Sequence, residues 1–228
     1  KKLHATGKPV VMVNFSGSAM ALNWEDENLP AIVQAFYPGE QAGKAIADLL
    51  WGEFSPSGRL PVTFYKSVED LPDFLDYSMA NRTYKYFEGE PLYPFGHGLS
   101  YTGFGYGDLS VPSEHDASAA MPVSVTVTNT GDMPGKEVVQ VYIQHKGRAH
   151  ASVPRIELAA FEVVDLAPGA SETLHFDLSP DRLGYYDTDG QFVMPEAGEA
   201  IVSIGGGQPG AHAEVAFKSA TVRFKPAG

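Results

Sequence analysis

The second half of the chain, residues 106–228, alternates hydrophobic and polar positions with a period of two. In residues 122–129, valines alternate with serine and threonine, which is the pattern of a strand with one buried face. Further candidate strands, separated by turn-rich segments, cover residues 137–144, 173–178, 200–206 and 221–224. About seven short strands at this spacing predict a β-sandwich of the immunoglobulin or fibronectin type.

The first half has a different pattern, in which apolar runs alternate with helical periodicity. Residues 9–15 hold consecutive apolar side chains and predict a buried strand. Residues 28–37 and 40–52 place apolar positions on one side of a helix, and both segments end at glycine or proline. With a further strand predicted over residues 59–65, this order of elements indicates an α/β layer.

The two patterns divide the chain into residues 1–105 and residues 106–228. The first part offers only two or three strands, whereas a parallel α/β sheet needs more strands and helices on both faces. We therefore expect the C-terminal part of a larger protein, in which residues outside this chain complete the α/β layer. An incomplete layer exposes apolar surface, so we expect the isolated chain to aggregate without its N-terminal complement.

Composition narrows the functions that this architecture can serve. The net charge of −12 disfavours binding to nucleic acid, and no apolar run is long enough to span a membrane. The chain has no cysteine, which excludes thiolate metal sites and cysteine nucleophiles. His145 and His150 lie in a predicted loop without a third ligand, so we expect them to be solvated and expect no metal or cofactor. Localisation stays open between the cytoplasm, the periplasm and the medium of a bacterium.

No local catalytic signature, such as G-x-S-x-G or H-E-x-x-H, occurs in the sequence. The glycine-rich residues 205–210 follow a predicted strand and predict a turn. Glu25, Asp26 and Glu27 form a group of carboxylates, of which a retaining glycosidase needs two about 5–5.5 Å apart. The same residues also suit the N-terminus of the following helix, predicted over residues 28–37, through its dipole. The residues alone therefore nominate no acid/base pair.

Residues 82–102 combine six aromatic side chains with five glycines and prolines. This density of glycine and proline predicts a loop rather than a helix or a central strand. Two interpretations remain open for so many aromatic rings in a loop: they line a carbohydrate cleft, or they cover a core.

Several long motifs of the first half resemble glycoside hydrolase family 3. They read GKPVVMVNFSGSAMALNW, AFYPGEQAGKAIADLLWGEFSPSGRLPVTF and PLYPFGHGLSYTGF. In the second half, VTNTGDMPGKEVVQVYI, LAAFEVVDLAPGASETLHFDLSP and MPEAGEAIVSIGG resemble the fibronectin type III-like domain of the same family. The resemblance implies the fold class, which is an incomplete C-terminal part of an α/β sandwich (residues 1–105) followed by a fibronectin type III-like β-sandwich (residues 106–228).

The resemblance also implies an activity. Members of this family are retaining exo-acting glycosidases with an Asp nucleophile on an N-terminal (β/α)₈ barrel and a Glu acid/base early in the α/β sandwich. Both residues are expected upstream of Lys1, so no catalytic residue is assigned to this chain. The implied partners are the barrel and the first part of the α/β sandwich, as a separate chain or a cleaved piece, and a small oligosaccharide substrate. A homo-oligomer is compatible with the resemblance.

Residues 21–40 and 64–102 resemble the β-xylosidase branch more than the β-glucosidase branch, which implies release of xylose from xylo-oligosaccharides. The alternatives within the family are β-glucosidase and α-L-arabinofuranosidase. An alternative of another class is a non-catalytic scaffold or a carbohydrate-binding module that uses the aromatic side chains of residues 82–102.

The resemblance makes Arg82 and Tyr84 candidate substrate-binding residues at the outer subsite. The competing interpretation is an internal ion pair of Arg82 and packing of the Tyr84 ring. The other aromatic residues are expected to pack the end of the α/β part against the β-sandwich, with glycines allowing tight turns. This second group consists of Tyr93, Phe95 and Tyr101 with Gly96 and Gly98.

Overall fold

The computed structural model describes residues 1–147, 153–187, 189–195, 198–210 and 215–225. The first half contains strands β1 (Val11–Asn14) and β2 (Ala31–Gln34), helices α1 (Asn23–Asn28), α2 (Ala42–Leu50) and α3 (Thr83–Tyr86), and the 3₁₀ helices His4–Thr6 and Val68–Asp70. The second half contains β3 (Phe104–Ser110), β4 (Glu114–Asp116), β5 (Met121–Asn129), β6 (Gly135–His145), β7 (Glu157–Leu166), β8 (Ser171–Leu178), α4 (Pro180–Leu183), β9 (Tyr185–Tyr186), β10 (Phe192–Val193), β11 (Gly198–Gly205) and β12 (Phe217–Lys225).

In the first half, β1 and β2 form a parallel pair in which Val13 lies opposite Val33. The helix predicted over residues 28–37 is wrong, because residues 31–34 are the second strand of this pair. Leu29 precedes a proline, which disfavours helical backbone, and its angles are extended (φ −106°, ψ 141°). The β-branched side chains that follow then favour a strand.

The other three elements predicted for the first half agree with the structure to different extents. Helix α2 lies within the segment predicted as helical, and β1 lies within the first predicted strand. Within β1 only Asn14 is buried and Val11 is exposed. The strand predicted over residues 59–65 is reduced to one bridge, between Phe64 and Tyr93.

The second half is a sandwich of two sheets. Strands β4, β12, β11, β6 and β7 form a five-stranded sheet in that order, and β3, β5 and β8 form a three-stranded sheet. The alternation predicted for residues 122–129 is confirmed, since Val123, Val125 and Val127 are buried between the sheets. The described residues thus give an α/β part followed by a β-sandwich, which confirms the predicted fold class.

Strand β6 is buried on both faces. Val139, Val141 and Ile143 point into the core of the sandwich. Gln140 and Tyr142, on the opposite face, are also buried, because they are covered by residues of the first half. The division at residue 105 stays a prediction, since β3 runs across it from Phe104.

Candidate functional site

The segment that carries the predicted substrate-binding residues is a loop closed by one arginine. We call residues 73–82 the Arg82 loop. The Arg82 guanidinium donates hydrogen bonds to the backbone carbonyls of Ser78 (3.1 Å), Asp73 (3.1 Å) and Asp76 (2.5 Å). These acceptors are spread over the loop, so Arg82 fixes the path of its backbone. The alternative role considered for Arg82 was an internal ion pair. Its guanidinium instead binds these backbone carbonyls.

Two aspartate turns add to this order. The backbone amides of Leu75 and Ser78 donate to the side chains of Asp73 and Asp76 respectively, both at 2.8 Å. The hydrogen bond from the Ser78 amide holds the pKa of the exposed Asp76 carboxyl below its usual range. The Arg82 loop therefore keeps a defined shape while its side chains face solvent.

The tip of the Arg82 loop exposes large apolar side chains. Phe74 and Tyr77 are each 87% exposed and Leu75 is 77% exposed. An ordered loop with exposed aromatic rings is suited to contact a sugar ring or another part of the protein.

Tyr84 lies behind this loop, at the junction of the two halves. Its ring stacks on Phe95 at 4.2 Å between centroids and meets Tyr142 of β6 edge to face at 6.4 Å. Its hydroxyl accepts a hydrogen bond from the Leu158 amide of β7 (3.1 Å). Burial raises the pKa of the Tyr84 hydroxyl. Tyr84 thus touches the β-sandwich, whereas Arg82 shapes the exposed loop.

A buried charge pair joins the two halves beside this junction. The Arg59 guanidinium contacts the Glu137 carboxylate of β6 at 2.5 Å and donates to the Gly206 carbonyl at 3.1 Å. The hydroxyl of Tyr106 donates to the other Glu137 oxygen at 2.6 Å. The side chains of Arg59 and Glu137 are only 9% and 4% exposed. Burial raises the pKa of Glu137, and the Arg59 charge acts in the opposite direction.

A second set of polar contacts lies next to this pair. The Gln140 amide donates to the carbonyls of Gly96 (3.1 Å) and Gly206 (3.0 Å) and its oxygen accepts from Tyr142 (2.6 Å). Gly96 has a positive φ of 77°, and a Cβ there would lie 2.2 Å from the Gln140 oxygen. Only glycine fits this position without displacing the side chains of Gln140 and Tyr142.

Three further aromatic side chains of residues 82–102 also make internal contacts. The Tyr93 hydroxyl donates to Asp26 (2.5 Å), and the Tyr101 hydroxyl donates to the Leu49 carbonyl (3.0 Å). Phe87 is buried against Tyr65. The segment therefore covers the junction and packs on the first half, which favours the second of its two interpretations.

Other candidates from the sequence have ordinary roles. Glu25 and Asp26 lie in the first turn of α1, which was not predicted. The helix-dipole interpretation is wrong as made, because the following helix expected over residues 28–37 does not form and residues 31–34 are a strand. The prediction that His145 is solvated is wrong, because its ring lies against Tyr185 and Phe224 and burial lowers its pKa. His150 lies outside the described residues.

Within the described ranges, no group of three side chains capable of holding a metal ion occurs. No helix in that part of the chain has the length and apolar character needed to cross a membrane.

Comparisons with known proteins place this arrangement in a family. Residues 1–101 match the glycosyl hydrolase family 3 C-terminal domain, and residues 137–208 match the fibronectin type III-like domain. A xylan 1,4-β-xylosidase of Xylanibacter ruminicola is 42% identical over 205 residues, which are 90% of this chain and 23% of that protein. The chain belongs to glycoside hydrolase family 3.

Other family 3 relatives are named for a different activity. A periplasmic β-glucosidase of Salmonella typhimurium is 37% identical over 216 residues, covering 89% of this chain and 28% of that protein. Among solved structures, a β-glucosidase from Erythrobacter marinus has a TM-score of 0.80 at 38% identity, covering 97% of this chain and 29% of its own. A β-glucosidase from Listeria innocua with gluconolactone has a TM-score of 0.82 at 30% identity, covering 98% of this chain and 32% of its own. The chain spans about a quarter of the length of the curated relatives.

The charge pair of Arg59 and Glu137 was not predicted from sequence, and neither were the hydrogen bonds to the backbone carbonyls of Gly96 and Gly206. Arg59 and Glu137 are 78 residues apart, and neither lies in a motif of known chemistry. Residues 205–210 were interpreted as a turn, but Gly206 also supplies the carbonyl that Arg59 and Gln140 share.

Proposed function

We propose that the protein containing this chain is a retaining exo-acting β-glycosidase, most simply a β-xylosidase that releases xylose from xylo-oligosaccharides. The observation that carries this proposal is the 42% identity to a xylan 1,4-β-xylosidase over 90% of the chain. A β-glucosidase is the second candidate, because the similar solved structures include β-glucosidases.

In this proposal the chemistry lies upstream of Lys1. An Asp of the barrel attacks the anomeric carbon while a Glu protonates the leaving oxygen, and water then releases the sugar with the same Glu as base. This chain alone is inactive, and it holds the Arg82 loop and the junction in place for the upstream part. The N-terminal barrel, with the first part of the α/β layer, is its partner as a separate or cleaved piece.

The activity is tested with the full-length protein on aryl glycosides. We expect kcat/KM for an aryl β-xyloside to exceed that for the aryl β-glucoside by about tenfold, because one additional hydroxymethyl group is discriminated at this level. The control is an aryl α-L-arabinofuranoside. A preference for the glucoside would select the second candidate, and no cleavage of any of the three would refute the proposal.

The partner is tested by denaturing mass spectrometry of the protein purified from its source. A second polypeptide large enough for a barrel, or one long polypeptide containing both parts, supports the proposal. Full glycosidase activity in a preparation that contains this chain alone would contradict it.

We further propose that Arg82 and Tyr84 contribute to the outer subsite, with Arg82 acting through the shape of its loop. Replacing Arg82 by Lys removes the forked donor that reaches three carbonyls. We expect KM for xylobiose to rise about fivefold with kcat little changed, since the loss affects binding. The measurement is steady-state kinetics of the full-length variant.

Tyr84→Ala and Tyr84→Phe separate the two roles considered for Tyr84. The phenylalanine variant keeps the ring stack on Phe95 and loses the contact with the Leu158 amide. If Tyr84 contributes to the subsite, the alanine variant raises KM for xylobiose as well as lowering the melting temperature. A change confined to stability would remove Tyr84 from the substrate-binding residues.

A further inference from the structure

The end of α2 carries an exposed tryptophan that the proposed catalytic function does not use. Trp51 is 81% exposed and forms one wall of a shallow groove of about 540 Å³. The other residues that line this groove are Lys44, Ala47, Asp48 and Glu53, and we call it the Trp51 groove. All five residues lie within one continuous described segment.

The Trp51 groove lies on the face of α2 opposite its half-buried apolar residues. Positions 44, 47, 48 and 51 are spaced by three and four residues and so share one helix face. The half-buried Ala42, Ile46 and Leu49 occupy the opposite face. That apolar face is the one that packs on a sheet. We therefore expect the opposite face, which carries Trp51, to stay accessible when upstream residues complete the layer.

The backbone at the end of α2 holds the groove in shape. The Trp51 amide donates to the Ala47 carbonyl at 3.0 Å, and the Glu53 amide donates to the Asp48 carbonyl at 2.9 Å. Gly52, between them, has a φ of 75° and turns the chain so that Glu53 joins the lining. The indole and the flanking carboxylates are thus presented together, without a change in backbone.

The chemistry of the lining identifies the class of ligand. A flat indole face stacks on the C–H face of a pyranose ring, and carboxylates accept hydrogen bonds from sugar hydroxyls. Lys44, which pairs with Asp48, adds a donor at the rim. The net charge of −12 disfavours acidic polymers. One ring surrounded by three charged side chains is too polar for an apolar protein helix.

We propose that the Trp51 groove is a binding site for a neutral polysaccharide chain. The choice of xylan as the first ligand rests on the proposed function. The inference that the groove binds a neutral polysaccharide rests only on the side chains that line it. Such a site raises the local concentration of polymer ends around an exo-acting enzyme.

The test is affinity electrophoresis of the full-length protein in gels that contain neutral arabinoxylan or neutral mixed-linkage β-glucan. We expect the unsubstituted protein to be retarded in at least one gel, and Trp51→Ala to weaken this binding about tenfold. Trp51→Phe should keep part of the retardation, since it keeps an aromatic face. Tyr37→Ala is the matched control, because Tyr37 is 79% exposed and lies outside the groove.

A second readout separates this proposal from the proposed function. We expect kcat/KM on the aryl β-xyloside to stay within about twofold in Trp51→Ala, since the proposal gives the groove a role with polymeric substrates only and this substrate carries a single sugar ring. Absence of aryl glycosidase activity in the unsubstituted protein, with retardation intact, would refute the proposed function and leave the binding site standing.

Three outcomes would overturn the binding site. The first is equal retardation of Trp51→Ala and the unsubstituted protein. The second is a change of oligomeric state in Trp51→Ala without loss of glycan binding, which would make the groove an interface between copies. The third is a parallel loss of retardation, aryl activity and melting temperature, which would make Trp51 structural.

Discussion

Replacing Glu137 by Ala is expected to lower the free energy of unfolding of the junction by about 3–5 kcal/mol, because it leaves a buried charge without its partner. Arg59 then keeps its charge at 9% side-chain exposure with no carboxylate beside it. Tyr106 loses the acceptor of its hydroxyl as well. Native-state hydrogen exchange of the β6 amides in the full-length protein measures this free energy locally.

The surface pair of Lys136 and Asp165 provides the matched control for this measurement. It lies at the start of the same strand pair, with side chains 58% and 68% exposed and 4.0 Å apart. Asp165→Ala should change the free energy by less than about 0.5 kcal/mol, since exposed ion pairs contribute little. A similar small value for Glu137→Ala would contradict the importance of the buried pair.

The double variant Arg59→Met, Glu137→Leu tests the same pair differently. Both charges are removed together, so we expect most of the lost stability to return, because apolar residues often replace a buried ion pair without cost. The difference between the double variant and the sum of the single variants gives the coupling energy. A coupling near zero would show that the two residues act independently.

The second large effect that we expect is a loss of stability when Gly96 is replaced by Ala. The new Cβ would lie 2.2 Å from the Gln140 oxygen and 2.7 Å from the Tyr142 hydroxyl, at a φ of 77°. Left-handed backbone and an overpacked contact each cost about 1–3 kcal/mol, so the free energy of unfolding should fall by about 2–6 kcal/mol. Thermal unfolding and hydrogen exchange of β6 measure the loss.

Gly169→Ala separates the two causes. Gly169 has a φ of 74° with no atom within 4 Å of the added Cβ, so this variant carries the backbone strain without the clash. It should therefore be less destabilised than Gly96→Ala by about the cost of overpacking, 1–3 kcal/mol. Equal losses in the two variants would mean that the contact with β6 contributes nothing.

The sequence predicted the β-sandwich well and the first half less well. The strand at residues 122–129 was predictable because alternating valines can bury only one face of a sheet. Residues 28–37 have apolar spacing that suits either a helix or a strand. Residues 31–34 form a strand because Pro30 disfavours helical backbone at Leu29 and because the segment pairs with β1. A local sequence pattern does not show which distant strand a segment will pair with.

The candidate site was predictable only in part. The concentration of aromatic side chains in residues 82–102 was visible, and it indicated either a cleft or a cover. The contact between Tyr84 and β7 could not be read from sequence, because it depends on how two halves with separate periodicities meet. The charge pair of Arg59 and Glu137 was hidden for the same reason. Exposed Arg and Glu residues are common, and burial of this pair follows only from the three-dimensional junction.

The burial of β6 on both faces bears on protein engineering. A fibronectin type III-like module exchanged between relatives carries with it the outward-facing Gln140 and Tyr142, which fit the loop around Gly96. A chimera cut between the two halves would therefore combine two surfaces that were not shaped together. Transplantation should succeed when residues 58–60 and 92–98 move with the module.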